Sequence, residues 1–128
     1  MAMIRNWIRA SAGAALSIAA SSGAHSADAA KGERVFRQCK TCHTVEKGGK
    51  MAVGPNLYRV LSRKAGALEG FSYSEAMRSS GLVWDETSLA EYLKDPRKRI
   101  PGNKMVFAGL KRQEQIDDLI AYLTKMSD

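Results

Sequence analysis

The segment RVFRQCKTCHTVEKGGK (Arg34–Lys50) carries the chain's only two cysteines, Cys39 and Cys42, with His43 directly after the second. Four chemistries compete for such a cluster. A structural zinc site needs four ligands, normally a second Cys or His pair downstream, and the chain's one other histidine is His25. A thioredoxin-type dithiol opens a helix after a strand in a βαβ setting, and the residues ahead of Cys39 do not alternate as a strand does. A bare disulfide between residues three apart closes too small a loop to stabilise much. On a helical turn, by contrast, positions i, i+3 and i+4 share a face, so both thiols and the imidazole point the same way.

Cys-x-x-Cys-His is the attachment signature of c-type haem, with two thioethers to the porphyrin and the imidazole rising to the iron. The opposite side of the iron then needs a ligand. With no further histidine downstream, methionine is the leading class, and Met51, Met77, Met105 and Met126 are the candidates. Met105 stands out because "IPGNKM" puts it in a turn-rich loop between two helices. Met51 is too close in sequence to His43, Met126 sits at a helix end, and Met77 is the outsider. Most methionines simply fill cores.

The flanking sequence sets the context. Arg5 and Arg9 precede the apolar run Ala10–Ala20, too short to span a bilayer, and small residues follow. This reads as a secretory signal peptide over residues 1–27, with one domain over 28–128 and a periplasmic location. Ser22-Gly23-Ala24 and Ala27-Asp28-Ala29 also fit a cleavage site, and His25 leaves with the signal. Arg5 and Arg9 are the only charged residues in 1–27, so 28–128 keep 18 of the 20 Lys and Arg and all 13 acids, a net charge of +5. A domain of this size has a small core that a large ligand helps to fill.

Apolar periodicity in the domain is helical. A first helix is expected from Ala29 to about Cys39, capped by Asp28. A short helix is expected in "SYSEAMRSS", and one begins at Asp85 or Thr87 and ends at Pro96. A last helix is expected over Arg112–Lys125, with Ile116, Leu119, Ile120 and Leu123 on one face. Connections as long as these are unusual in a compact domain unless something large organises them.

Beyond "CKTCHTVEKGG", the segments "GPNL" (54–57), "RKAG" (63–66), "GFSYSEA" (70–76), "GLVWDE" (81–86), "EYLKDPRKRIPGNKMVFAGLK" (91–111) and "DDLIAYL" (117–123) occur in the order and spacing of a known family. The chain resembles class I c-type cytochromes of the cytochrome c2 and mitochondrial type over essentially all of residues 28–128. The resemblance implies an all-α class I cytochrome c fold, about four to five helices with long loops wrapped around one covalently bound haem c. It implies that Cys39 and Cys42 carry the haem and that His43 and Met105 are its axial ligands. Pro55 would accept from the other imidazole nitrogen, and Tyr92 would reach the methionine sulfur. Arg63, Tyr73 and Trp84 would surround the propionates, and Gly32 and Phe36 would meet Leu119 and Tyr122 where the terminal helices cross. Two positions depart from the family pattern: Met77 where asparagine is common, and Asn103 where threonine is usual.

A haem with both axial positions filled has no site for substrate, so the expectation is a soluble one-electron carrier and no enzyme. An easily displaced Met105 would instead give a peroxidase, and a membrane-tethered carrier or a subunit of a larger oxidoreductase is a further alternative. Lys50, Arg97, Lys98, Lys104, Lys111 and Arg112 form a basic set that a nucleic-acid binder would also offer. With the resemblance they imply docking on acidic surfaces of membrane redox complexes, a bc1-type donor and an oxidase or reaction-centre acceptor. Such contacts are transient, and the carrier is a monomer that binds no nucleic acid.

Overall fold

The computed structural model describes residues 25–128, so most of the segment read as a signal peptide lies outside the described residues. Among the described residues five helices follow one another: α1 (Ala29–Phe36), α2 (Glu75–Arg78), α3 (Glu86–Lys94), α4 (Pro96–Arg99) and α5 (Gln113–Lys125). Among the described residues the only strand-like pairing is one antiparallel bridge between Lys64 and Val83. No described helix is long and apolar enough to cross a membrane.

α1 starts where Asp28 accepts from the N–H groups of Ala30 and Lys31 at 2.9 and 3.2 Å, satisfying donors that a helix start leaves unpaired. It crosses α5, burying Gly32 and Phe36 against a face formed by Ile116, Leu119, Tyr122 and Leu123. Ile116 and Leu119 are each 1% exposed, and burying such side chains stabilises by about 1.5–3 kcal/mol apiece. The Phe36 and Tyr122 rings stand 5.3 Å apart. Gly32 is required at the crossing: a Cβ there would overlap the Asp118 carbonyl oxygen and come within 2.7 Å of Tyr122 Cβ. The expected meeting of Gly32 and Phe36 with Tyr122 is therefore observed at the helix crossing, and Leu119 is buried on α5.

Asp118 takes part in the same junction. Its carboxylate is almost fully buried and accepts from the Asp28 N–H at 2.8 Å, with His25 Nε2 at 2.9 Å. Burial works to raise its pKa, but the Asp28 N–H, the His25 ring and the Lys31 charge together outweigh it and hold the carboxyl below its ordinary value.

α1 ends at Phe36, three residues before the expected end. The following N–H groups shift to i−3 acceptors, Arg37 to Arg34 O and Gln38 to Val35 O, and the chain continues as linked turns through the cysteines. α3 has Asp85 as its cap, within a box closed by Ser88. Pro96 was expected only to end a helix. It also opens α4, occupying the first turn where its missing N–H is harmless, while Asp95 caps that turn. An Arg99–Glu91 ion pair of 2.8 Å fastens α4 to α3. α3 packs on both α4 and α5, and this frame leaves the loops to surround an internal cleft.

Candidate functional site

The sequence from Cys39 to His43 is a single helical turn. The N–H groups of Cys42 and His43 both reach Cys39 O, at 3.0 and 2.9 Å. Cys39, Cys42 and His43 therefore line one cleft together, as the spacing predicts. About 1320 Å³ in and around that cleft is free of protein atoms, its mouth included, and the lining is mainly apolar: Phe36, Leu57, Val60, Leu89, Leu93, Leu119 and Leu123 among others. This suits a large, mostly apolar ligand.

His43 Nδ1 lies 2.7 Å from the carbonyl oxygen of Pro55. A carbonyl only accepts, so Nδ1 carries the proton and Nε2 keeps a free lone pair. Burial lowers the imidazole pKa, with the Pro55 bond opposing, and the neutral form is the one that ligates a metal. Gly54 makes the arrangement possible, because a Cβ there would stand 2.7 and 2.8 Å from the two ring nitrogens. Sequence reading assigned Pro55 and passed over Gly54; the glycine in "GPNL" was the available signal. Asn56 secures the far end of the same loop, donating to Thr44 Oγ1 at 2.8 Å and Glu46 O at 2.9 Å.

Of the four candidate methionines, Met77 and Met105 line the cleft, and Met51 and Met126 do not. Both have backbone partners, Met77 donating its N–H to Ser74 Oγ at 3.1 Å, but of the two Met105 is the one with a polar group at its sulfur. Its N–H donates to Asn103 Oδ1 at 3.0 Å, and the Tyr92 hydroxyl lies 3.8 Å from its sulfur. Asn103 is itself fixed by bonds from Nδ2 to Pro96 O and Ile100 O, both 2.8 Å. The asparagine at this unusual position thus retains a hydrogen-bonding role. Burial pushes the Tyr92 phenol up to about 12, so it remains a donor at neutral pH.

Arg63, Tyr73 and Trp84 also meet on the cleft wall. Trp84 is buried, its ring 5.0 Å from Tyr92, and its backbone pairs with Ser62 N and Arg63 O. The Arg63 guanidinium is tied to Asn56 O at 2.9 Å and Tyr58 O at 2.6 Å. All six residues of the expected basic set are exposed. Lys104 alone of them lines the cleft, with Nζ 5.4 Å from the Phe71 ring centre. Arg97 and Lys98 lie on α4, Lys111 and Arg112 precede α5, and Lys50 follows the Cys-His turn.

The donor set decides between the chemistries that the motif left open. Burial, with Cys42 adding to it, pushes the Cys39 thiol up to about 11, whereas redox-active dithiols depend on a lowered pKa. No cluster of three or more His, Cys, Asp or Glu suited to a metal ion occurs among the described residues, which leaves zinc without its ligands. Two thiols, one imidazole lone pair and one thioether around a large apolar cleft fit a covalently held haem.

A family model described as cytochrome c matches residues 29–127. The chain is 47% identical over 100 residues to a cytochrome c2 of Blastochloris viridis, covering 78% of this chain and 79% of that one. It is 50% identical over 111 residues to a cytochrome c2 of Rhodomicrobium vannielii, covering 87% and 88%. Among solved structures, cytochrome cH from Methylobacterium extorquens superposes with a TM-score of 0.72 at 46% identity, covering 77% of this chain and 98% of that one.

Proposed function

Because the chain belongs to the cytochrome c family, whose members carry covalently attached haem c, we propose that it is a soluble periplasmic one-electron carrier. In this reading it takes electrons from a bc1-type complex and gives them to a terminal oxidase or a photosynthetic reaction centre. The haem, when bound, supplies the Fe(III)/Fe(II) couple. Cys39 and Cys42 would hold it by thioethers, and His43 Nε2 and Met105 sulfur would be the donors to its iron. A thioether ligand favours the reduced state and raises the potential. Pro55 fixes the imidazole plane, as outer partners of metal ligands do, while Tyr92 and Asn103 hold Met105 in place. Arg63, Tyr73 and Trp84, together on the cleft wall, would receive the propionates. With an imidazole and a thioether both available to the iron, no place would be left there for a substrate, which is why we read the protein as a carrier and not an enzyme.

The observation that carries this reading is the pairing of two unlike donors in one cleft, each under its own hydrogen bonds: His43 on Pro55 and Met105 beneath Tyr92 and Asn103. The exposed cations steer the mouth of the cleft towards acidic membrane partners, and such steering weakens with salt. Oxidation of the reduced protein by membrane vesicles from its source organism tests this. The rate should fall as ionic strength rises, and should fall further in Lys104→Glu. A rate indifferent to both would remove the docking assignment. Export is tested separately by recovering the haem-loaded protein from the periplasmic fraction.

A further inference from the structure

The peptide unit joining Tyr58 to Arg59 is held from both sides. Its carbonyl, Tyr58 O, accepts from Arg63 Nη2 at 2.6 Å, and its N–H, on Arg59, donates to Ser127 Oγ at 3.0 Å. The Ser127 hydroxyl donates in turn to Leu123 O at 2.8 Å. Its proton is thereby committed, and an oxygen lone pair is left for Arg59. Ser127 also offers its own carbonyl to Arg59 Nε at 3.3 Å. A continuous hydrogen-bonded chain thus runs from the cleft wall at Arg63, through one peptide plane, to the C-terminal end of α5.

Arg59 has φ of +52°, a conformation uncommon outside glycine. Backbone of this kind persists only where its surroundings over-determine it. Here the surroundings are the two contacts from Ser127 and a stacking of the Arg59 guanidinium 5.5 Å from the Tyr58 ring centre. The peptide is planar, so its N–H and C=O cannot be re-aimed independently. A plane that rotates after losing Ser127 also carries Tyr58 O away from Arg63. The guanidinium keeps Asn56 O on Nη1 and the Tyr73 hydroxyl beside it, so losing the Tyr58 carbonyl turns the fork about these remaining partners rather than freeing it.

We propose that Ser127 is a positioning residue for Arg63: by fixing the Tyr58–Arg59 peptide plane it sets the orientation of the guanidinium on the cleft wall. The consequence for haem rests on the reading of Arg63 as a propionate partner. A displaced Arg63 would stabilise the propionate anion less, moving its titration to higher pH.

The test compares haem-loaded parent, Ser127→Ala, Ser127→Thr and Arg63→Gln. Three quantities are read: amide exchange at Arg59, the Arg63 Nε–H resonance, and midpoint potential against pH. In Ser127→Ala, exchange at Arg59 should quicken by about two- to tenfold, the equivalent of one net hydrogen bond. The Arg63 resonance should shift, and the inflection of the potential curve should move to higher pH, in the direction of Arg63→Gln but less far. Ser127→Thr, which keeps the hydroxyl, should match the parent in all three. An unmoved Arg63 resonance in Ser127→Ala overturns the proposal, as does an unmoved potential curve where Arg63→Gln shifts it. If Arg63→Gln leaves the curve unchanged, the propionate role of Arg63 fails, and the resonance alone decides for or against Ser127.

Discussion

Replacing Gly32 with alanine isolates the junction on which the fold depends. Within α1 alone the change should help, since alanine is favoured over glycine by about 1 kcal/mol inside a helix. The crossing reverses the sign. The new methyl would overlap the Asp118 carbonyl oxygen, approach its carbon to 2.6 Å and reach Tyr122 Cβ at 2.7 Å. Two of these are backbone atoms of α5, so the helices must separate. Overpacking of this kind costs about 1–3 kcal/mol, and disturbing the Phe36–Tyr122 pair adds about 0.5–1.5 kcal/mol. After the gain in helix propensity, a net loss of about 2 kcal/mol is expected. With a guanidinium slope of about 3 kcal/mol per molar, the unfolding midpoint should fall by about 0.7 M, followed by circular dichroism on haem-loaded protein. Gly48→Ala is the control. A Cβ there meets nothing, but φ is +72°, so it should lose only the left-handed penalty of about 1 kcal/mol. If Gly32→Ala proves as stable as the parent, the close approach of α1 and α5 does not exist as described.

Two further outcomes are expected. Gly54→Ala should push the His43 ring away from Pro55, since the added methyl would stand within 2.8 Å of both ring nitrogens; an altered ferric spectrum would be the readout, and an unaltered one would contradict the packing. The Tyr92 phenol, pushed up to about 12 by burial from an ordinary value near 10, stays neutral in the folded state after its unfolded counterpart ionises. Its contribution is therefore complete below about pH 10 and lost as pH climbs towards 12, on the order of 2–3 kcal/mol in all. Stability measured across that window should fall less steeply in Tyr92→Phe than in the parent, and parallel curves would argue against a buried phenol.

Much of this was readable in advance because it depends on local spacing. Cys39, Cys42 and His43 share one helical turn whatever surrounds them, the Asp28 cap needs only the residues after it, and the buried face of α5 is written in Ile116, Leu119, Ile120 and Leu123. Met105 could be ranked above the other methionines from its loop, though only the fold shows that Met77 shares the cleft. What escaped is tertiary. The end of α1 at Phe36 reflects backbone acceptors moving to i−3, which no propensity encodes. The start of α4 at Pro96 was hidden because the same proline also ends α3. Gly54 has meaning only beside an imidazole that reaches it through the folded loop. The burial of Asp118 likewise appears only once the residues from His25 to Asp28 lie against α5.

The most direct test of the central claim is the near-red absorption of the oxidised, haem-loaded protein, recorded beside Met105→Ala and Met77→Ala. The account predicts the weak band of methionine sulfur on ferric iron in the parent, its loss in Met105→Ala and its retention in Met77→Ala. A parent without the band, or a band that survives in Met105→Ala, would mean that Met105 does not close the iron and that the carrier reading lacks its foundation.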